Sequence, residues 1–342
     1  MTSTKSIRKD LEEIKTEIKY KETNGSNDSA NDLKDKGIID SDGNLKMNNF
    51  GSFISCKHGL PNNNDLRELL KNHPNKFTPK YFYDTEKCDF NFNDSFFGEK
   101  DFNNDYMFLG LNVAARGDDK EDDGGDKTKA YTLAGWKNFH DMNPKTRTNT
   151  CKLFMQLNND RFKGCYITDL IKYKVDSNAD HLSRDLFLAS NNKCSFLYNS
   201  NDIYKVSNNK DIITVGDKRI ELYKEWYKKD SEDKIRKDIH NNNSIFNKSV
   251  QIFIEECNII QPKHLVAFGG DVYRALKRFK ETKAVKENDA VKNSNASNVN
   301  IGKLIDNAIW LDHYSGYSKN FIKWFEEQPN EHIPDYVQKL NS

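Results

Sequence analysis

Four short apolar segments, each ending in polar residues or glycine, constrain the fold of this chain more than any other feature. In chain order they are Met107–Asn112, Tyr166–Lys172, Pro262–Gly269 and Trp310–Ser315. Strands that are buried on both faces of a parallel sheet have such continuous apolar sequences. Ligands of parallel sheets bind at the carboxyl ends of the strands, which is where these segments become polar. The pattern therefore predicts a buried parallel sheet with a site along one edge.

Helical patterns separate the four predicted strands. The strands are predicted at 106–111, 164–170, 264–268 and 308–312, and helices at 134–142, 148–157, 245–260 and 271–279. Strands that alternate with helices indicate an α/β protein. We therefore predict a three-layer α/β/α sandwich with a central four-stranded, mostly parallel sheet.

Outside this core, we predict an N-terminal helix, a linker and an insertion. Residues 1–20 are predicted as an amphipathic helix, and residues 21–50 as a flexible linker that begins with a run rich in Asn, Ser, Gly and Asp. Residues 51–342 form the main domain, in which a polar stretch of irregular pattern near 176–243 indicates an insertion.

The predicted N-terminal helix carries an apolar seam whose members alternate at spacings of four and three residues: Ile7, Leu11, Ile14 and Ile18. This seam is short for an independent coiled coil. Two uses of it remain open, packing on the body of the protein or self-association, and we favour packing.

Composition excludes several classes of protein. The net charge of +1 gives no global basic surface, so any affinity for nucleic acid must come from a local patch. No stretch approaches the roughly 18 apolar residues of a membrane span, and the N-terminus lacks the apolar core of a signal peptide. The cysteines form no CxxC pair, which predicts reduced thiols in a cytoplasmic protein and no metal site. They are Cys56, Cys88, Cys151, Cys165, Cys194 and Cys257.

The four segments, taken in order, resemble the motifs of the uracil-DNA glycosylase superfamily. Tyr166–Lys172 and Pro262–Gly269 are similar to a strand and a helix–strand junction of its thermophile-type branch. Gly110-Leu111-Asn112 resembles the first motif of the mismatch-specific and single-strand-selective branches, and His313-Tyr314-Ser315 resembles the last motif. The resemblance spans about residues 105–325 and implies a metal-free, cofactor-free DNA glycosylase.

Hydrolysis of a glycosidic bond passes through an oxocarbenium-like state, in which negative charge develops on the leaving base. Such an enzyme needs a positioned water on one side and a hydrogen-bond donor to the base on the other. The resemblance implies that Asn112 holds the water and that His313 donates to a base oxygen. Catalysis would then rest on electrostatics and His313, since Asn is not a strong general base.

The resemblance also implies contacts with DNA. The target base must leave the duplex, and Tyr131 or Phe139 would stack on it. Ser315 and the backbone near Gly316 would hold phosphate, while Tyr317 would fill the vacated stack. These residues predict a DNA partner.

The sequence departs from the family at two places. Asn112 is followed by Val113 and Ala114 rather than Pro-Gly, although Arg116 close by is a candidate phosphate ligand. Asp169 stands where the family strand carries a base-reading Asn. An ionised Asp offers acceptors only, so uracil O4 would face a carboxylate. A protonated Asp169 would match the amino group and N3 of cytosine, which predicts a cytosine-type or modified pyrimidine base.

Ordinary structural roles compete with these assignments. Asp169 could pair with Lys172 or with a helix N-terminus, and Asn112 could be a turn residue. His313 could be structural. Gly269, which precedes a predicted helix, could cradle a phosphate of DNA or simply form a tight strand–helix turn.

Two further functions also remain open. A glycosylase fold with altered motifs could be a non-catalytic module that senses or binds nucleic acid or nucleotides. An interaction protein assembled through residues 4–20 is the third. Base excision in repair, or in defence against foreign DNA with modified bases, is the function we expect.

Overall fold

A computed structural model gives the architecture of the protein. It describes residues 4–14, 38–54, 102–112, 136, 138, 139, 153, 157, 160–174, 182, 185, 186, 217–228, 231–292, 299–311 and 313.

The centre of the molecule is one sheet of five strands. They are β1 (Gly51–Phe53), β2 (Asn103–Asn112), β3 (Cys165–Ile171), β4 (His264–Phe268) and β5 (Ile309–Leu311). Their order is β1-β3-β2-β4-β5, with β1 antiparallel to β3 and the other pairs parallel. The predicted α/β class and mostly parallel sheet are confirmed, and all four predicted strands lie in it. The fifth strand, β1, was missed because three residues are too few to show a periodic pattern.

The strand order places β2 in the middle of the parallel part. Leu109 of β2 pairs with Thr168 of β3 on one side and with Ala267 of β4 on the other. The chain therefore passes from β2 to β3 on one side and later reaches β4 on the opposite side. Such a reversal creates a crevice outside the carboxyl ends of the strands, where α/β proteins bind ligands. This topology favours a site between the ends of β2 and β4.

The described helices are α1 (Thr4–Glu12), α2 (Asp217–Tyr227), α3 (Glu232–Ile260), α4 (Gly270–Glu281), α5 (Lys283–Lys292) and α6 (Ile301–Asp306). Phe279 of α4 makes edge-on ring contacts with Phe246 and Phe253 of α3, at centroid distances of 5.0 and 5.6 Å. These helices pack in one core with one face of the sheet. The sheet residues buried in this core include Met107, Leu109, Leu170, Leu265 and Ala267.

The opposite face of the sheet is buried as well. Phe108 stacks on Phe268 at 5.9 Å and meets Phe162 edge-on at 5.2 Å. Tyr106 joins this aromatic group, and none of the four rings is more than 2% exposed. Burial on both faces explains why the strand sequences are continuously apolar.

The predicted insertion is helical where the structure describes it. α2 lies inside 176–243, and α3 begins at Glu232 rather than at residue 245. Ile235 and Ile239, one helical turn apart, are fully buried, but charged neighbours hide this pattern in the sequence. Ser231 caps the helix by accepting a hydrogen bond from the backbone of Lys234.

The N-terminal seam faces the core of the same chain. Ile7, Leu11 and Ile14 are buried in the main core cluster, which matches packing on the body, whereas Ile18 lies outside the described residues. Residues 38–50 of the predicted linker are also folded here, and Phe50 is fully buried.

A third difference concerns the predicted helix 134–142. Trp136 and Phe139 both have φ of 66°, which is left-handed backbone and incompatible with an α-helix. The prediction is wrong at these positions because tertiary contacts hold the loop, as described below.

Two of the six cysteines are described, and both are free and buried: Cys165 and Cys257. Burial raises the pKa of the Cys165 thiol to about 12 and that of Cys257 well above its ordinary range, which disfavours the nucleophilic thiolate form. Among the helices of the described part, none is long and apolar enough to cross a membrane.

Candidate active site

The carboxyl edge of the sheet gathers four of the predicted site residues. Asp169 lies near the end of β3, Asn112 ends β2, Gly269 follows β4, and His313 follows β5. Neighbouring strands lie about 4.8 Å apart, so the three intervals from β3 to β5 span about 14 Å. This length accommodates a nucleoside with an adjacent phosphate.

Asp169 and Phe139 meet over Gly110, a residue of β2 that pairs with Asp169. A Cβ built on Gly110 would lie 2.5 Å from Asp169 Oδ1 and 2.8 Å from Phe139 Cζ. Any side chain at position 110 would therefore displace the carboxylate or the ring. The structure thus brings together two residues predicted to bind a base, and glycine makes their approach possible.

Asn138 holds the Asp169 carboxylate in place. Its Nδ2 donates to Asp169 Oδ2 at 2.7 Å and to the backbone oxygen of Phe50 at 2.7 Å. Its Oδ1 accepts from the backbone N–H of Phe139 at 3.1 Å. Asn138 and Asp169 are 4% and 3% exposed. The amide therefore links the carboxylate to the backbone of Phe139 in one hydrogen-bonded unit.

The segment that carries Asn138 is anchored to β1 and to the residues just before that strand. Trp136 donates its backbone N–H to Asn48 O at 2.9 Å, and its own carbonyl accepts from Ser52 Oγ at 2.8 Å. The indole Nε1–H donates to Glu12 at 3.1 Å. Left-handed backbone at two aromatic residues costs about 1–3 kcal/mol each, and these contacts offset that cost. Such strain commonly marks functional positions.

A buried ion pair lies on the other face of β3. Lys172 Nζ is 2.9 Å from Glu256 Oε1, and both side chains are fully buried. Lys172 also donates to Thr168 Oγ1 at 2.6 Å and to the backbone oxygen of Asp169. Glu256 Oε1 accepts in addition from the Tyr166 hydroxyl at 2.8 Å. Lys172 thus binds the backbone of Asp169 and forms its ion pair with Glu256.

His313 packs directly on Gly269. A Cβ on Gly269 would lie 3.1 Å from His313 Cβ, and Gly269 has φ of 89°. Its backbone N–H donates to Leu311 O at 2.7 Å, which joins the end of β4 to the segment that carries His313. Gly269 therefore acts as a tight strand–helix turn that seats the histidine.

Burial lowers the pKa of His313, and the Asp271 carboxylate opposes this shift. The imidazole is therefore neutral at pH 7 and carries one N–H donor. A neutral histidine can donate a hydrogen bond to an oxygen that gains charge without first transferring its proton. Desolvation strengthens that interaction.

Five predicted site residues lie outside the described residues: Arg116, Tyr131, Ser315, Gly316 and Tyr317. For Asn112, the backbone is described, and its Cα pairs with that of Ile171. Within the described ranges, no group of three or more His, Cys, Asp or Glu side chains could hold a metal ion.

Sequence reasoning missed two contributors, Asn138 and the role of Gly110. Asn138 reaches Asp169 across 31 positions of chain, and its segment was assigned to a helix. The pairing of Gly110 with Asp169 follows from strand register, which single-sequence patterns leave undetermined. A glycine inside an apolar strand is the one signal that pointed to a close approach.

Comparison with known proteins adds no relative. No protein-family model matches the chain, and neither does any curated protein or solved structure. The resemblance described above therefore rests on the four segments alone, and function must be argued from the site.

Proposed function

We propose that the protein is a DNA glycosylase that removes a cytosine-type or otherwise modified pyrimidine base. The observation that carries this proposal is the buried unit of Asp169, Asn138 and Phe139, at the same sheet edge as the neutral His313. A carboxyl group, an aromatic ring and a polarising donor are what binding and releasing a flipped base require.

In this proposal Asp169 reads the edge of the base. In its acid form, Oδ1–H donates to a ring nitrogen such as cytosine N3, and Oδ2 accepts from the exocyclic amino group. Oδ2 also accepts from Asn138 Nδ2 at 2.7 Å, which its second lone pair allows. A keto group at the same place would meet an acceptor, at a cost of about 1–3 kcal/mol.

The reaction is a hydrolysis that needs no other reagent. Water bonds to the anomeric carbon of the sugar, the glycosidic electron pair goes to the base nitrogen, and the water proton ends on the base. His313 donates its N–H to the base oxygen and stabilises the developing charge. Asn112, at the end of β2, is our candidate for holding the water. The biological setting we propose is base-excision repair or defence against DNA with modified bases.

An abasic-site cleavage assay tests the proposal. The panel of labelled oligonucleotides contains uracil, thymine mismatches, cytosine and several modified cytosines. Wild-type protein should excise one of them, and His313→Ala should lower the rate about 100- to 1000-fold, as loss of one such donor does. His264→Ala is the matched control, because burial also lowers the pKa of that histidine, which lies at the amino end of β4. Equal loss in both variants would contradict the assignment of His313.

One observation favours a second candidate, a non-catalytic module that binds nucleic acid or nucleotides. Phe139 is only 7% exposed and lies over Gly110, so a base must displace the ring before it reaches Asp169. A sensor would couple that displacement to a signal rather than to turnover. Stoichiometric binding of DNA with no abasic product, at any enzyme concentration, would favour the sensor.

A further inference from the structure

Trp310 is the one large apolar side chain that is exposed in the part of the chain the structure describes, at 59%. It lies on β5, which forms one end of the sheet. Tryptophan usually buries most of its surface, so an indole held in the open needs a reason.

The indole is ordered by a flat aromatic contact. Its ring stacks on Tyr273 of α4, with centroids 6.1 Å apart and an angle of 20° between the planes. Lys277 Nζ lies 5.2 Å from the centroid of the same Tyr273 ring. An exposed ring supported by a second ring and a nearby cation is the arrangement on which proteins stack unpaired bases. We call Trp310, Tyr273 and Lys277 the aromatic platform.

The aromatic platform adjoins the candidate active site. Trp310 pairs with Ala267, one residue before the end of β4. Tyr273 donates its backbone N–H to Gly269 O at 3.2 Å, and Gly269 contacts His313. The aromatic platform therefore lies next to the strand end and turn that carry His313.

Cationic side chains lie beside the platform, together with carboxylates. Lys277 and Lys280 both pair with Asp306, at 3.7 and 2.7 Å, so two ammonium groups share one carboxylate. Arg274 pairs with Asp271. Glu281 and Asp289 also act on Lys280, so the charges around the platform are mixed, and the cation at the rings themselves is Lys277.

The exposed area of the patch is small enough to favour a single base over a protein partner. A stable protein interface buries more than about 1000 Å², whereas one aromatic side chain contributes about 150–250 Å². A single base matches the exposed face of one indole. We propose that the aromatic platform stacks an unpaired base of the DNA strand that runs from the active site, which makes single-stranded DNA the preferred ligand. This inference rests on the proposed function in taking DNA as the ligand.

Fluorescence anisotropy with labelled oligothymidylate, alone or annealed to oligodeoxyadenylate, tests the inference without a target base. Wild-type protein should bind the single strand more tightly. Trp310→Ala should weaken that binding about 5- to 150-fold, the range for loss of one base–aromatic stack, and should change duplex binding little. Tyr273→Leu should weaken it in the same direction, and Trp310→Phe should retain most of the affinity.

The cation is tested by salt dependence. Lys277→Met removes one ammonium group that would contact a phosphate. The slope of log affinity against log salt should therefore become shallower by about one. Lys283→Met is the matched control, since Lys283 is an exposed lysine on α5 that pairs with Glu287, and its slope should equal that of wild type.

Several outcomes would overturn the inference: no binding of the single strand, unchanged affinity in Trp310→Ala, or equal losses on single strand and duplex. A dimer of wild-type protein that Trp310→Ala converts to a monomer would overturn it too. The proposed function fails separately. If the platform variants behave as expected but no base is excised from the panel, the aromatic platform stands and the glycosylase does not.

Discussion

Two buried polar clusters lie on opposite faces of β3, and they differ in the groups that bind their ionisable side chains. On the helix face, Lys172 and Glu256 neutralise each other with Thr168 and Tyr166 as added partners. On the other face, the Asp169 carboxylate meets the neutral amide of Asn138 beside an aromatic ring. In the first cluster all hydrogen bonds to the carboxylate go to Glu256 Oε1, and Oε2 is buried without a partner among the described residues; the opposite charges of the pair suit a structural role. The second contains the carboxyl group that we propose reads the base.

This contrast has an electrostatic basis. Removing one member of a buried ion pair leaves an uncompensated charge in a low-dielectric interior. Replacing an acid by its amide beside another amide changes hydrogen bonding but leaves no such charge. The helix-face cluster should therefore govern stability, and the Asp169 cluster should govern which ligand is accepted.

The largest effect is expected from Lys172→Met, which leaves Glu256 buried and unpaired. We expect the free energy of unfolding in urea to fall by about 3–5 kcal/mol. The double variant Lys172→Met with Glu256→Gln should recover most of this loss, because the amide carries no charge and keeps an acceptor for Tyr166. Equal destabilisation in the single and double variants would show that packing, and not charge, dominates the cluster.

Gly110→Ala should disturb the Asp169 cluster, on the other face of β3. The new methyl group would lie 2.5 Å from Asp169 Oδ1 and 2.8 Å from Phe139 Cζ, and overpacking of this kind costs about 1–3 kcal/mol. We expect base excision to be lost in a protein that still folds, as judged by urea unfolding and the abasic-site assay.

The matched control for that change is Gly270→Ala. A Cβ at position 270 would meet Arg274 Nη1 at 3.1 Å, which is the far end of a flexible side chain. This variant should retain stability and excision. If Gly110→Ala also retains both, the close approach of Asp169 and Phe139 over Gly110 is not required for excision.

The smallest effect concerns pH. Burial places the folded-state pKa of His313 below its ordinary value of 6.5, so the unfolded chain binds more protons as the pH falls through this range. The stability from a neutral His313 is thus present above pH 6.5 and is lost as the pH falls towards the folded pKa. Asp271→Asn should lower that pKa further, because the Asp271 carboxylate raises it.

NMR titration of the imidazole protons, assigned with His313→Gln, measures this shift. The acid limb of the pH profile of excision should have the same pKa, since protonation turns the neutral donor into a cation and changes its charge in the site. A His313 pKa at or above 6.5, or an acid limb that Asp271→Asn leaves unmoved, would contradict this assignment.

The strands were predictable because burial on both faces leaves a continuous apolar signature, seen clearly in Tyr166–Ile171 and His264–Phe268. Asp169 was found as a departure within such a strand. Asn138 was not predictable, because its position depends on left-handed backbone at Trp136 and Phe139 and on anchors in residues 48–52. The ion pair of Lys172 with Glu256 was missed for a related reason, since it joins residues 84 positions apart.

The most direct test of the central claim compares base choice in wild type and Asp169→Asn. Excision rates are measured on matched oligonucleotides that carry a cytosine-type base or uracil at one position. We predict that wild type prefers the cytosine-type base and that Asp169→Asn shifts the preference towards uracil, since an Asn amide offers one donor and one acceptor. Wild-type protein that excises only uracil, or a preference that the substitution leaves unchanged, would contradict the account of Asp169 as the group that reads the base.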